Sequence, residues 1–222
     1  MKKVFMITED GSQTIYLPEM DEHYHSVHGA IQESLNIYIE QGLLQTTKKD
    51  LSVLEIGFGT GLNAYLTYCI AQRENISVHY CSLEKYPLNK QEYSLLKYPT
   101  NLFTEHSPIF DQMHQAEWNK KVQLSEVFQL EKFHADLLTF PFNEIAQFDL
   151  VYYDAFAPGK QPEMWTDMIL HKVAATVKPG GILVTYCAKG SVRRALADAG
   201  FTMERIPGPK GKKEILRGKK TL

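Results

Sequence analysis

A chain of 222 residues with 44% hydrophobic and 23% charged side chains has room for one α/β domain and little for a second catalytic one. No run approaches the roughly 18 apolar residues of a membrane-spanning helix, the start has too short an apolar run for a signal peptide, and Cys69, Cys81 and Cys187 form no C-x-x-C pair, so a reduced cytoplasmic protein with no disulfide framework and no metal is expected. The net charge of −2 is unevenly spread: residues 189–222 hold ten Lys or Arg against three acids, which suits either a polyanionic partner or a solvated basic surface.

Two short runs, residues 4–7 and 14–17, flank the turn signal Glu9-Asp10-Gly11-Ser12 and predict a hairpin. Ala30, Ile31, Leu35, Ile37, Tyr38 and Ile39 fall near helical spacing and predict one helix over residues 27–44, with Gly42 near its end. Residues 1–45 are read as an N-terminal extension. The pattern then changes to short apolar runs at 51–56, 78–83, 148–153 and 181–187, separated by helical stretches. Near-continuous apolar strands of this kind belong to a parallel sheet covered on both faces. A weaker strand precedes His134, Pro179-Gly180-Gly181 is read as a turn before the fifth strand, and residues 201–206 and 214–216 are expected to close the sheet as an antiparallel pair.

The first strand of the sheet ends in Glu55-Ile56-Gly57-Phe58-Gly59-Thr60-Gly61 and runs into a helical stretch. Glycines accept unusual φ/ψ values and let a ligand approach the backbone closely, although a structural turn or a dinucleotide site competes with this reading. The spacing is G-x-G-x-G with an acid, Glu55, two residues ahead, and Glu84 follows the second strand, where a carboxylate can accept both ribose hydroxyls. An acidic loop without the dinucleotide spacing suits a cationic cofactor without phosphates, S-adenosylmethionine. The expected fold is therefore a class I, Rossmann-like methyltransferase over residues 46–222, with Gly57, Phe58, Gly59 and Gly61 as the cofactor loop. Asp136 and Leu137 follow the third strand, where methyltransferases of this class hold the adenine; the competing reading of Asp136 is a helix N-cap. Asp154, after the fourth strand, stands in the crevice at the carboxyl ends of the strands and is the candidate catalytic residue beside the methyl group. Phe156 and Trp165 are candidates to stack on a base or to pack in the core, and Cys187 is read as a small buried hydrophobe.

The chain resembles one family, the methyltransferase domain of tRNA 5-methylaminomethyl-2-thiouridine biosynthesis proteins (MnmC, with stand-alone forms called MnmD). The resemblance lies in Glu55 to Asn63, in Asp154-Ala-Phe-Ala-Pro158 with Pro162-Glu-Met-Trp165, in residues 191–196 and 208–217, and in Asp10-Gly-Ser12 with Tyr24-His-Ser26. It implies methyl transfer to the primary amine of 5-aminomethyl-(2-thio)uridine at the tRNA wobble position, Asn63 at the cofactor, and Tyr24 and Ser26 on the pocket. It also implies that this chain, which stops at Leu222, lacks the FAD-dependent oxidase domain of bifunctional relatives. Arg193, Arg194, Lys210, Lys212 and Lys213 are the expected phosphate contacts, although Gly208-Pro-Lys-Gly211 departs from the family's Gly-Phe-Gly-Arg type run. The rival readings are a methyltransferase for a small-molecule or protein amine and a non-catalytic tRNA-binding module. A nicotinamide dehydrogenase fits the glycine spacing least.

Overall fold

The computed structural model describes residues 2–142 and 147–221. Strands β1 (Val4–Ile7) and β2 (Gln13–Leu17) form the predicted hairpin, and the short β3 (Glu22–His23) adds to β2. The single helix expected next is divided: α1 covers Ala30–Ser34, a π-helical segment follows at Leu35–Glu40, and a 3-10 turn spans Leu43–Gln45. A π turn carries more residues per turn than an α-helix and so turns the side chains that follow to a new direction. Tyr38, on this segment, is 1% exposed and its ring centroid lies 5.1 Å from that of Tyr152.

The main sheet has eight strands in the order β10-β11-β9-β8-β4-β5-β7-β6. Strands β4 (Asp50–Ile56), β5 (Ser77–Glu84), β7 (Phe128–His134), β8 (Phe148–Tyr153) and β9 (Val177–Thr185) are parallel. Antiparallel strands close both ends: β6 (Lys121–Ser125) on one, β10 (Phe201–Pro207) and β11 (Glu214–Lys220) on the other. The antiparallel β10–β11 pair was expected. Strand β6 was not, because its partly exposed edge sequence lacks a continuous apolar run.

Alternation along the strands sends side chains to two layers. Val53, Tyr80 and Tyr152 pack with α2 (Leu62–Glu74) on one face. Leu54, Leu83, Val151 and Leu183 pack with the opposite layer. Three helices lie between β5 and β6: the short α3 (Lys90–Tyr93) and α4 (Tyr98–Asn101), then α5 (Ser107–Gln115), whose Phe110 and Met113 join the first layer. Helices α6 (Asp167–Ala175) and α7 (Gly190–Asp198) form the second. One expectation needs correction: Pro179-Gly180-Gly181 does not precede a strand but lies within β9, where Gly180 has φ +76° and the pairing with β8 shifts register. The glycines absorb a bulge there rather than a turn.

Strand β4 is flanked by β5 on one side and β8 on the other, so the connections run in opposite directions from it. This topological switch point opens a crevice at the carboxyl ends of β4 and β8, the usual ligand position in open α/β sheets.

Candidate active site

A cavity of about 390 Å³ occupies this crevice, within the range of about 300–1,000 Å³ typical of small-molecule sites. Its floor is the loop after β4. Gly57, Gly59 and Gly61 have φ of +92°, +50° and +74°, conformations that side chains other than glycine rarely adopt. A Cβ at Gly57 would stand 3.0 Å from the Asp154 carbonyl oxygen, and one at Gly59 would stand 3.2 Å from the Tyr24 ring. Gly61 does not line the cavity; it turns the chain into α2 with Phe58 and His114 closely packed around it.

Three groups hold this loop from behind. Glu84 Oε2 accepts the Gly59 N–H at 2.9 Å, while its other oxygen accepts the Tyr86 N–H at 2.6 Å. His25 Nε2 and Thr60 Oγ1 are 2.6 Å apart, and burial pushes this histidine down to about 4, so it is neutral at physiological pH. Lys132 is 1% exposed, donates to the His114 carbonyl at 2.9 Å, and lies 4.3 Å over the Trp118 ring and 5.1 Å over Phe58; burial lowers it to about 8. Sequence reading gave His25 only its place in the Tyr24-His-Ser26 run and gave Lys132 no role.

Asp154 follows β8 and its backbone N–H donates to the Ile56 carbonyl at 3.1 Å. Tyr38 donates to its Oδ1 at 2.5 Å and Asn63 to its Oδ2 at 2.8 Å. Burial outweighs these two donors and pushes the carboxyl up to about 7, with the nearby Glu33 charge adding to the rise. Asp136 and Leu137 also line the cavity. Asp136 accepts the Leu138 N–H at 3.0 Å and pairs with Lys85 at 2.8 Å, which holds its carboxyl below the usual range.

Tyr24, Ser26 and Phe156 reach the cavity from the other side, the Tyr24 and Phe156 rings meeting edge to face at 5.0 Å. Trp165 takes the core alternative of its two readings, and Glu55 and Lys212 stand away from the positions expected for them. Trp165 is 7% exposed, packs on Tyr153 and donates from Nε1 to the Phe156 carbonyl at 2.7 Å. It therefore braces the loop that carries Phe156 and is not among the described residues lining the cavity. Glu55 is wholly buried on the α2 face, accepting from Ser82 at 2.7 Å, and burial pushes its carboxyl well above the ordinary range. Strand alternation turns it inward, away from the cofactor position assigned to it. Lys212 was expected at a phosphate, yet it lines the cavity and stands 3.2 Å from Glu33. Lys210 pairs with Glu9 at 2.5 Å. Arg194 and Lys213 are exposed and Arg193 partly so. Cys187 is 5% exposed and its thiol is raised by burial, a packing role. Away from the cavity, His79, Cys81 and Glu131 on β5 and β7 bring ligand-type atoms within 4.8 Å of one another; His79 Nε2 lies 3.1 Å from Glu131.

A family profile described as S-adenosyl-L-methionine-dependent methyltransferase matches residues 100–221. The chain belongs to this methyltransferase family. It is 30% identical over 213 residues to the tRNA 5-methylaminomethyl-2-thiouridine biosynthesis bifunctional protein MnmC of Pseudomonas entomophila, covering 90% of this chain and 32% of that protein. The protein of the same name from Marinobacter nauticus is 30% identical over 243 residues, with coverage of 99% and 37%. The chain thus spans about a third of the length of these curated relatives. The crystal structure of MnmC2 from Aquifex aeolicus is similar with a TM-score of 0.83 at 25% identity, over 98% of this chain and 70% of that one. Spermidine synthase from Thermotoga maritima, with a TM-score of 0.61 at 13% identity and coverage of 98% and 69%, shares the fold.

The cavity of this methyltransferase fits S-adenosylmethionine. Both lining lysines are paired with acids, Lys85 with Asp136 and Lys212 with Glu33, while among the described residues Glu84 and Asp154 have no ion-pair partner. The remaining field is negative, which suits a sulfonium and not a pyrophosphate. Ile56, Phe58, Leu83 and Leu137 supply apolar wall. Among the described residues no helix is long and apolar enough to cross a membrane.

Proposed function

We propose that this methyltransferase acts on tRNA and methylates the primary amine of 5-aminomethyl-(2-thio)uridine at the wobble position. The observation that carries the reading is Asp154, a carboxylate at the mouth of the cofactor loop, held on both oxygens and raised to about 7. The names of the MnmC relatives support the tRNA assignment. When bound, S-adenosylmethionine supplies an electrophilic methyl group on a sulfonium. Gly57, Phe58 and Gly59 would hold it at the loop, with Glu84 at the ribose and Asp136 and Leu137 at the adenine. Each carboxylate oxygen has two lone pairs, so Glu84 keeps acceptor capacity beyond its two backbone bonds.

An alkylamine must lose a proton before it can attack. Against an amine of about 10.4, an ordinary aspartate near 3.9 would be a proton acceptor weaker by roughly 9 kcal/mol. At about 7, the gap narrows to roughly 5 kcal/mol. Tyr38 and Asn63 orient the carboxylate, so its raised basicity is spent at one position. Residues 1–45 act as an extension that closes the acceptor side through Tyr24, Ser26, Glu33 and Tyr38, and residues 46–222 form the methyltransferase domain. Phe156 and Tyr24 face the base, and Arg193, Arg194 and Lys213 meet phosphates.

The test is methyl transfer to tRNA carrying 5-aminomethyluridine, read by mass spectrometry of nucleosides, beside spermidine and a lysine peptide as acceptors. Methylaminomethyluridine formed only with tRNA is the expected result. Transfer to the free amines but not to tRNA would overturn the reading.

A further inference from the structure

Glu33 is a second buried carboxylate on the cavity, with no task in the chemistry assigned to Asp154. It is 8% exposed, and its Oε1 accepts the Ser26 N–H at 3.1 Å. Among the described residues its Oε2 has no hydrogen-bond donor: Lys212 Nζ stands 3.2 Å away, an ion pair without hydrogen-bond geometry. A buried carboxylate oxygen left without a donor is costly, and such a group calls for a ligand that completes it. Lys212 is the more exposed member of this pair. Its ammonium lies 4.6 Å over the Tyr186 ring, and its side chain is 27% exposed, against 10% for Glu33. It belongs to the turn between β10 and β11, which rests on the N-terminal extension through the Lys210–Glu9 pair and through His28 packed against Gly211.

We propose that Glu33 is a cation subsite for the ammonium form of the acceptor, and that Lys212 is a tethered cation holding this subsite until the acceptor displaces it. The proposal rests on the functional reading above, which makes the acceptor a primary alkylamine, protonated in solution at neutral pH. Exchange of one ammonium for another keeps Glu33 paired throughout, so no buried charge is left uncompensated at any stage. The acceptor's ammonium, held at Glu33, then stands in the same cavity as Asp154, whose carboxyl feels both Glu33 and Lys212. Glu33 selects and positions the amine, and Asp154 takes its proton.

The experiment measures binding of two anticodon stem-loops by fluorescence anisotropy at pH 7 in the presence of S-adenosylhomocysteine. One loop carries 5-aminomethyluridine at the wobble position and the other carries uridine. The quantity read is the ratio of the two affinities, in which phosphate contacts cancel. Wild type is expected to favour the aminomethyl loop by about tenfold or more, about 1.4 kcal/mol. Glu33→Gln keeps the acceptor for Ser26 but loses the charge, and should abolish the preference, the two loops then binding with equal affinity. Lys212→Met removes the competing cation and should raise the preference above wild type. If wild type methylates aminomethyluridine tRNA and Glu33→Gln retains the full preference, the subsite is overturned and the functional reading stands. If Glu33→Gln does not fold, Lys212→Met decides: an unchanged preference overturns the exchange. Wild type with neither preference nor methyl transfer would overturn the functional reading, and the subsite with it.

Discussion

Tyr38, in the π-helical segment ahead of the sheet, donates a 2.5 Å hydrogen bond to Asp154, 116 residues later at the end of β8. Together with the 2.8 Å bond from Asn63, it fixes a carboxylate that burial has raised to about 7. Tyr38→Phe should keep the packing against Tyr152 and remove only the donor. A hydrogen bond to a charged group contributes roughly 1.5–3 kcal/mol, so the Asp154 titration should move up by about one pH unit or more, and kcat at pH 7 should fall about fivefold or more as the ionised fraction drops. A pH–rate profile with unmoved limbs would show that Tyr38 only packs.

Cofactor binding should release protons. In the free protein Asp154 is protonated below about 7, and a sulfonium in the same cavity favours the carboxylate. At pH 7, calorimetry in buffers of different ionisation enthalpy should record release of about half a proton with S-adenosylmethionine, less with S-adenosylhomocysteine, and none with Asp154→Asn. The sign for folding follows from the same shift. A carboxyl raised in the folded state favours folding at low pH, so the free protein should lose stability as pH rises from the unfolded value of 3.8 through about 7. Thermal melts of Asp154→Asn should lack this loss.

Gly59→Val places a side chain where φ is +50° and where a Cβ already lies 3.2 Å from the Tyr24 ring. Glu84→Ala removes the acceptor of the Gly59 N–H. Each should weaken S-adenosylmethionine binding at least tenfold, about 1.4 kcal/mol, in a calorimetric titration. Unchanged affinity in both would remove the cofactor from this loop.

Lys210 and Lys212 are engaged with Glu9 and Glu33, whereas Arg193, Arg194 and Lys213 make no ion pair among the described residues. Neutralising these three should therefore flatten the salt dependence of tRNA binding, lowering the slope of log K against log salt by about 2 to 3. Cofactor affinity should not change. A slope equal to that of wild type would assign this basic surface to solvent.

The parts of this protein that local pattern controls were legible in its sequence. Glycine spacing after an apolar strand marks a loop because only glycine accepts its φ values, and continuous apolar runs mark parallel strands because both faces must be covered. From these came the candidate cofactor loop, the carboxylate that ends β5 and the position of Asp154 beside the loop. The closing pair β10–β11 was legible for the same reason, since a Pro-Gly turn separates two apolar runs.

Tertiary structure decided which side chains meet. Glu55 went to the interior by strand parity, and Trp165 went to the core because the turn after β8 sets it against Tyr153. Tyr38 reached Asp154 only because a π turn redirected it, a local slip that apolar spacing does not announce. Lys212 reads in sequence as one more basic residue of a tail, yet the β10–β11 turn folds back over the extension and sets it beside Glu33. Contacts between residues more than a hundred positions apart arise from chain topology and leave no periodic trace in either segment. The candidate cofactor loop was therefore written locally, and the surroundings of Asp154 were assembled by the fold.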